Sequence, residues 1–293
     1  AATMLLGANN AMVMQYRFAA VEYVEAPRAS KAIAIVMSGA LAAAWLGPEL
    51  AVRFADFIAG AHYAGSFFAG AGLYAIAAML LLLTPIATRA VEKDTRPPRP
   101  LIEIARQADF RIAVLAALVS YVVMSFIMTA TPISMHVMDL HDEVATKRVI
   151  QAHLLAMYLP SLASGWIIGR LGIRPVISAG ACLMIACAVI AGFTGHGVLH
   201  YTWALVLLGL GWNFMFIAGT TLLTLTYRPQ ERIQVRTLND FLVFGAQAVA
   251  SLMAGVALAT SGWQHLNLMT LPLLAAVLLS LMFTRRRAWP EPA

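Results

Sequence analysis

Apolar stretches of about 20 residues recur along nearly the whole chain, separated by short polar connections. About 20 helical residues, rising 1.5 Å each, cross a hydrocarbon core about 30 Å thick. By that measure nine spans are predicted: Thr3–Val24, Ala32–Val52, Tyr63–Ile86, Ile112–Met135, Val149–Ile168, Val176–Phe193, Tyr201–Leu225, Leu238–Thr260 and Leu266–Phe283. The sixth and ninth are short and need some tilt or local bilayer adjustment. The predicted fold class is therefore all-α, a polytopic membrane helical bundle.

The connections divide by charge. One set holds Arg28 and Lys31, then Arg89, Lys93, Arg96, Arg99, Arg106 and Arg111, then Arg170 and Arg174. It continues with Arg228, Arg232 and Arg236 and ends with Arg285, Arg286 and Arg287, making 16 of the 20 Lys and Arg. The opposite side holds only Arg53, Lys147 and Arg148. Basic residues accumulate on the cytoplasmic side of membrane proteins. The C-terminus is accordingly expected inside and the N-terminus outside, in a bacterial inner membrane.

Composition agrees with this pattern. Hydrophobic residues make up 61% of the chain and charged residues 12%, and the mean hydropathy is +0.78. A soluble domain of this length needs far more polar surface. The net charge of +6 sits in short loop clusters, which suits anionic lipid as a partner rather than nucleic acid. Cys182 and Cys187 lie five apart within one apolar run, on different helix faces, so neither a disulfide nor a metal motif is expected. No cofactor is implied.

The longest connection carries Arg96-Pro-Pro-Arg99-Pro100 and then turns amphipathic through Leu101, Ile104 and Ala105. A hinge followed by a helix lying on the inner membrane face is predicted there. Three regions follow: residues 1–87 with three spans, 88–111 as a cytoplasmic loop, and 112–293 with six spans.

Two further features bear on the architecture. A shift of 204 residues lays Gly7-Ala8-Asn9 on Gly211-Trp212-Asn213, Tyr23 on Tyr227 and Arg28 on Arg232. Between the fifth and sixth spans runs Gly165-Trp-Ile-Ile-Gly169-Arg170-Leu-Gly172-Ile-Arg174-Pro175. Its glycines permit a tight turn and its arginines suit an anionic surface.

Together these features resemble helices four to twelve of a twelve-helix major facilitator superfamily transporter. The loop segment is similar to the second-half copy of that family's G-x-x-x-D-R-x-G-R-R signature. Gly165, Arg170, Gly172 and Arg174 match it, whereas Gly169 stands for the acid and Ile173 for one basic residue. The resemblance implies a major facilitator fold lacking its first three helices. It also implies a secondary active transporter, monomeric, moving a small polar or anionic solute by alternating access, with a proton as the candidate coupling ion. The chain has no Met at position 1. Three further spans and a first-half copy of the loop motif are expected to be encoded upstream.

Polar side chains inside spans are costly and so mark candidate sites. In the first span Asn10 and Arg17 lie seven apart on one face. Arg17 is 11 residues from Arg28, about 16 Å along the helix, too deep to reach the interface easily. The resemblance implies that this helix and the seventh and tenth of the family line a central cavity. Asn10, Arg17, Tyr121, Tyr158, Trp212 and Asn213 are the solute-binding candidates, with a structural Arg17–carboxylate lock as the competing reading. Glu22 and His153, the latter taken as near the external end of its span, are the candidates for proton coupling. The segment His136–Glu143 has metal-binding residue types but no metal-site spacing, and a solvated loop is expected.

An intramembrane enzyme would need a nucleophile or metal constellation, and the spans contain no H-E-x-x-H, G-x-S-x-G or clustered histidines; the lack of a Walker A motif disfavours an ATP-driven pump. A non-transporting sensor or scaffold on a transporter fold is the other alternative.

Overall fold

The computed structural model describes residues 29–84 and 97–284, with five single positions between 7 and 16. The chain divides into two compact units, residues 1–93 and 94–293. The boundary falls inside the predicted loop, so the second part of that loop belongs to the C-terminal unit.

In the N-terminal unit, α1 (Ala29–Arg53) and α2 (Ala64–Leu82) form a helical hairpin. The Ser66 hydroxyl donates to the Ala51 carbonyl at 2.6 Å, tying α2 to the end of α1. These helices correspond to the second and third predicted spans. The first predicted span lies outside the described residues apart from the single positions, and Arg285–Arg287 lie outside them altogether.

The C-terminal unit begins with the short α3 (Leu101–Ala105), followed by α4 (Ala108–Pro132), α5 (Glu143–Tyr158), α6 (Ser161–Leu171), α7 (Ile173–Phe193), α8 (Val198–Thr224), α9 (Arg232–Leu268) and α10 (Leu271–Phe283). No strand occurs among the described residues. Among the described residues, five helical stretches are long and apolar enough to cross a membrane, and the bent pair α5–α6 makes a sixth.

The last stretch runs for 55 residues, about 80 Å if continuous and far more than a bilayer requires. Gly262 breaks it with φ 72° and ψ 172°. Glycine tolerates this left-handed φ because it has no Cβ to clash. The break divides the stretch into two helical segments. This is a multi-pass helical membrane protein.

α8 occupies the centre of the unit, packed against α4, α5 and α7, while α9 packs against α4. Where α7 crosses α8, a Cβ at Gly180 would sit 2.7 Å from the Gly211 carbonyl oxygen. Only small residues let two helix backbones approach so closely in lipid.

The predicted surface helix is instead a docked one. α3 has only five residues, and Ile104 is fully buried in the bundle core. A single turn cannot offer the long apolar stripe that a membrane surface would hold.

Candidate functional site

Near the midpoint of α8, Trp212 and Phe216 stand one turn apart and stack, with ring centroids 5.1 Å apart and planes 18° apart. Spacing of i and i+4 puts both on one helix face. Tyr121 of α4 is met edge-on by Trp212, Phe216 and Phe244 at 5.3, 5.0 and 5.4 Å. Tyr158, the last residue of α5, lies 6.1 Å from Trp212. Four helices thus contribute five rings to one cluster. Edge-to-face aromatic pairs add about 0.5–1.5 kcal/mol each beyond area burial.

One polar group in this cluster stands out. Trp212 is 4% exposed, and its indole Nε1 is buried without a hydrogen-bond partner. A buried donor with no acceptor costs about 1–3 kcal/mol, and such a group is poised to bind an acceptor that enters the cluster.

Asn213, the next residue, behaves differently. It is fully buried and its side chain spans the break between α5 and α6. Its Nδ2 donates to the Met157 carbonyl at 2.6 Å and to the Ser161 hydroxyl. Its Oδ1 lies 2.8 Å from the Ser164 hydroxyl, which donates to it. A carbonyl only accepts, so the Met157 contact fixes which end of the amide faces it.

His153 is fully buried against α8, with Nδ1 2.8 Å from the Leu205 carbonyl. That carbonyl requires the proton on Nδ1, leaving Nε2 as a lone pair that has no partner. The α5 helix starts at Glu143 rather than near Val149, so His153 lies about 15 Å along the helix from its first residue. Glu143, Lys147 and Arg148 dilute the apolar signal of those first turns.

The positions of the loop motif gather at the basic end of the unit. Gly172 links α6 and α7 with φ 86°, again a conformation suited to glycine. A Cβ at Gly165 would meet nothing within 4 Å. The Arg170 guanidinium lies over the Trp166 ring at 5.5 Å. Arg174 donates to Asp109 at 2.9 Å and to the Thr284 carbonyl at 2.7 Å. It thereby ties the start of α7 to the start of α4 and the end of α10.

A second ion pair at this end was not foreseen from the sequence. Arg99 donates through Nε and its backbone N–H to Glu231 Oε1 at 2.9 and 2.8 Å, and through a terminal nitrogen to Oε2 at 2.7 Å. The same nitrogen reaches the Thr226 carbonyl at 3.0 Å. Glu231 lies in the loop before α9, outside the predicted spans, and its side chain is fully buried. The Arg99 guanidinium beside it lowers its carboxyl to about 2.

At the opposite end, Asp139 accepts from the Tyr201 hydroxyl at 2.7 Å and from His196 Nδ1 at 3.0 Å. His141 Nε2 faces the His196 carbonyl at 2.7 Å. The segment predicted as a solvated loop is thus tied down through Asp139 and His141. No group of three or more potential metal ligands occurs among the described residues.

Of the solute-binding candidates, Tyr121, Tyr158, Trp212 and Asn213 come together, and Phe216 and Phe244 join them. Asn10, Arg17 and Glu22 lie outside the described residues.

No family model matches the chain. It is 38% identical over 282 residues to the riboflavin transporter RfnT of Brucella anthropi, across 96% of this chain and 70% of that protein. The chain belongs to the major facilitator superfamily. Two further relatives from Bacillus subtilis are uncharacterized MFS-type transporters, YdeG at 30% identity and YddS at 27%, each matched over 90% of this chain. They are covered over 65% and 64% of their own lengths. The chain thus spans about two thirds of the length of its major facilitator relatives, and its family role is membrane transport.

Proposed function

We propose that the complete protein is a secondary active transporter that moves a small polar solute by alternating access, and that the solute is riboflavin or a similar planar heteroaromatic compound. The observation that carries this reading is the five-ring cluster at mid-depth of α8 with the unpaired Trp212 N–H. Aromatic side chains suit a flat π-system, and a single donor suits the carbonyl or ring nitrogen of such a compound. The similarity to a riboflavin transporter points to the same chemistry.

In this reading the protein works as a monomer in a bacterial inner membrane, with its basic end and C-terminus in the cytoplasm. Arg17 and Asn10 are the candidates of the first span for contact with solute. A coupling proton would be carried by Glu22 or by His153, whose buried Nε2 has a lone pair to accept it.

Cells unable to make riboflavin test the solute directly. Carrying the complete gene, they should accumulate labelled riboflavin saturably and grow at external concentrations that leave a vector control starved. Preloading with unlabelled riboflavin should accelerate uptake of label, as alternating access requires. Uptake equal to the control would sink the solute assignment, and absence of counterflow would sink the mechanism.

A further inference from the structure

The fifth of the predicted spans is broken. α5 and α6 meet at Leu159-Pro160 with a bend of 43°. Pro160 has no N–H for the carbonyl one turn before it, and its ring crowds that turn, so the break follows from sequence. In lipid, backbone groups freed by such a break must find partners elsewhere. The partner for the Met157 carbonyl is the Asn213 side chain on α8.

The clamp reaches both sides of the break. Asn213 holds Met157 on α5, and Ser161 and Ser164 on α6. The single Ser164 proton also has the Pro160 carbonyl within 2.8 Å, so the serine belongs to the same knot. Both Asn213 N–H groups and one lone pair of its carbonyl oxygen are engaged.

The flanking residues are the two rings on either side of the clamp. Tyr158 follows Met157 and Trp212 precedes Asn213, and their centroids are 6.1 Å apart. Any change in the bend moves Tyr158 relative to Trp212.

We infer that Asn213 is a positioning residue: it fixes the bend between α5 and α6 and so sets the spacing of the Tyr158 and Trp212 rings, without touching the solute itself. The link to solute rests on the function proposed above; the link to the bend does not.

Two readouts separate these. Spin labels at Leu171, the end of α6, and Leu225, just past α8, report the bend in the complete protein with Cys182 and Cys187 replaced by Ala. With Asn213→Leu, the distance distribution should broaden or shift by about 5 Å, since a half-helix of 11 residues swings about its Pro160 hinge over a length of about 16 Å. The KM for riboflavin should rise about tenfold with a nearly unchanged maximal rate, the size of one or two interhelical hydrogen bonds in lipid. A Ser161→Ala/Ser164→Ala double variant keeps Asn213 and should reproduce both changes in weaker form, which covers the case in which Asn213→Leu fails to fold.

A raised KM with an unmoved distance distribution would make Asn213 a solute contact and overturn the inference, as would no change in either readout. If the distances change but the unsubstituted protein takes up no riboflavin, the solute reading fails while Asn213 remains the clamp of the bend.

Discussion

At the basic end of the C-terminal unit, guanidinium groups meet carboxylates: Arg99 with Glu231, and Arg174 with Asp109. At the midpoint of α8 the same bundle is joined by five aromatic rings and one asparagine. The difference follows from solvation. At the helix ends Arg99, Arg174 and Asp109 keep some exposure and the buried Glu231 is paired with Arg99, whereas a charge at mid-depth costs several kcal/mol. Aromatic rings carry no such cost and offer adjustable faces. The two regions therefore divide the work. The ion pairs secure the helix ends, and the neutral middle is where the function proposed above puts solute recognition.

The largest expected effect comes from breaking the basic end. Glu231→Ala leaves Arg99 without its carboxylate and frees the loop before α9, at a cost of about 3 kcal/mol. Thermal unfolding in detergent should show a clearly lower Tm, while riboflavin KM changes little. The pair should also resist acid. Glu231 titrates at about 2 in the folded protein against 4.5 as its ordinary value. Its stabilisation is complete above about pH 4.5 and lost only as the pH falls through about 2. A Tm that drops between pH 7 and pH 5 in the unsubstituted protein, but not in Glu231→Ala, would contradict this.

Tyr121→Leu attacks the middle. It removes three edge-to-face contacts while retaining apolar bulk, at a cost of about 2 kcal/mol. Here the KM should rise together with the fall in Tm. A Tm effect without a KM effect would make the cluster packing alone and erase the contrast between the regions.

The smallest effect belongs to the end opposite the basic one. His196 is half-exposed beside Asp139, and exposed ion pairs are worth about 0–1 kcal/mol. His196→Ala should shift the Tm by a degree or two at most, because Asp139 keeps its bond from Tyr201. A large loss would mean that this end is also held by charge.

Much of this architecture is legible in the sequence because span formation is local. Twenty apolar residues announce a span wherever they stand, so each predicted span from the second to the ninth has its helix. The gap predicted between Thr260 and Leu266 contains Gly262, where the chain breaks. The start of α5 is hidden because charged residues occupy its first turns. The site is legible in part. Trp212 and Asn213 mark themselves as polar groups in an apolar run, and Tyr121 and Tyr158 as aromatics on span faces. Their partners are not marked. Phe244 reaches the cluster only through the packing of α9 on α4, and Arg99 and Glu231 lie 132 residues apart. An amide at depth must be hydrogen-bonded, but the sequence does not say that Asn213 spends its bonds on a broken neighbour helix.

Under the proposed function the aromatic cluster recognises a planar solute through the Trp212 N–H that it leaves unpaired. Saturation curves for labelled riboflavin uptake, with the complete protein and its Trp212→Phe variant at equal membrane levels, test it most directly. Phenylalanine keeps an aromatic ring of smaller size and removes the indole N–H. The KM should be about tenfold higher, as expected for loss of one buried hydrogen bond, with a nearly unchanged maximal rate. An unchanged KM would show that the Trp212 N–H does not meet the solute, and the site would have to be sought elsewhere in the bundle.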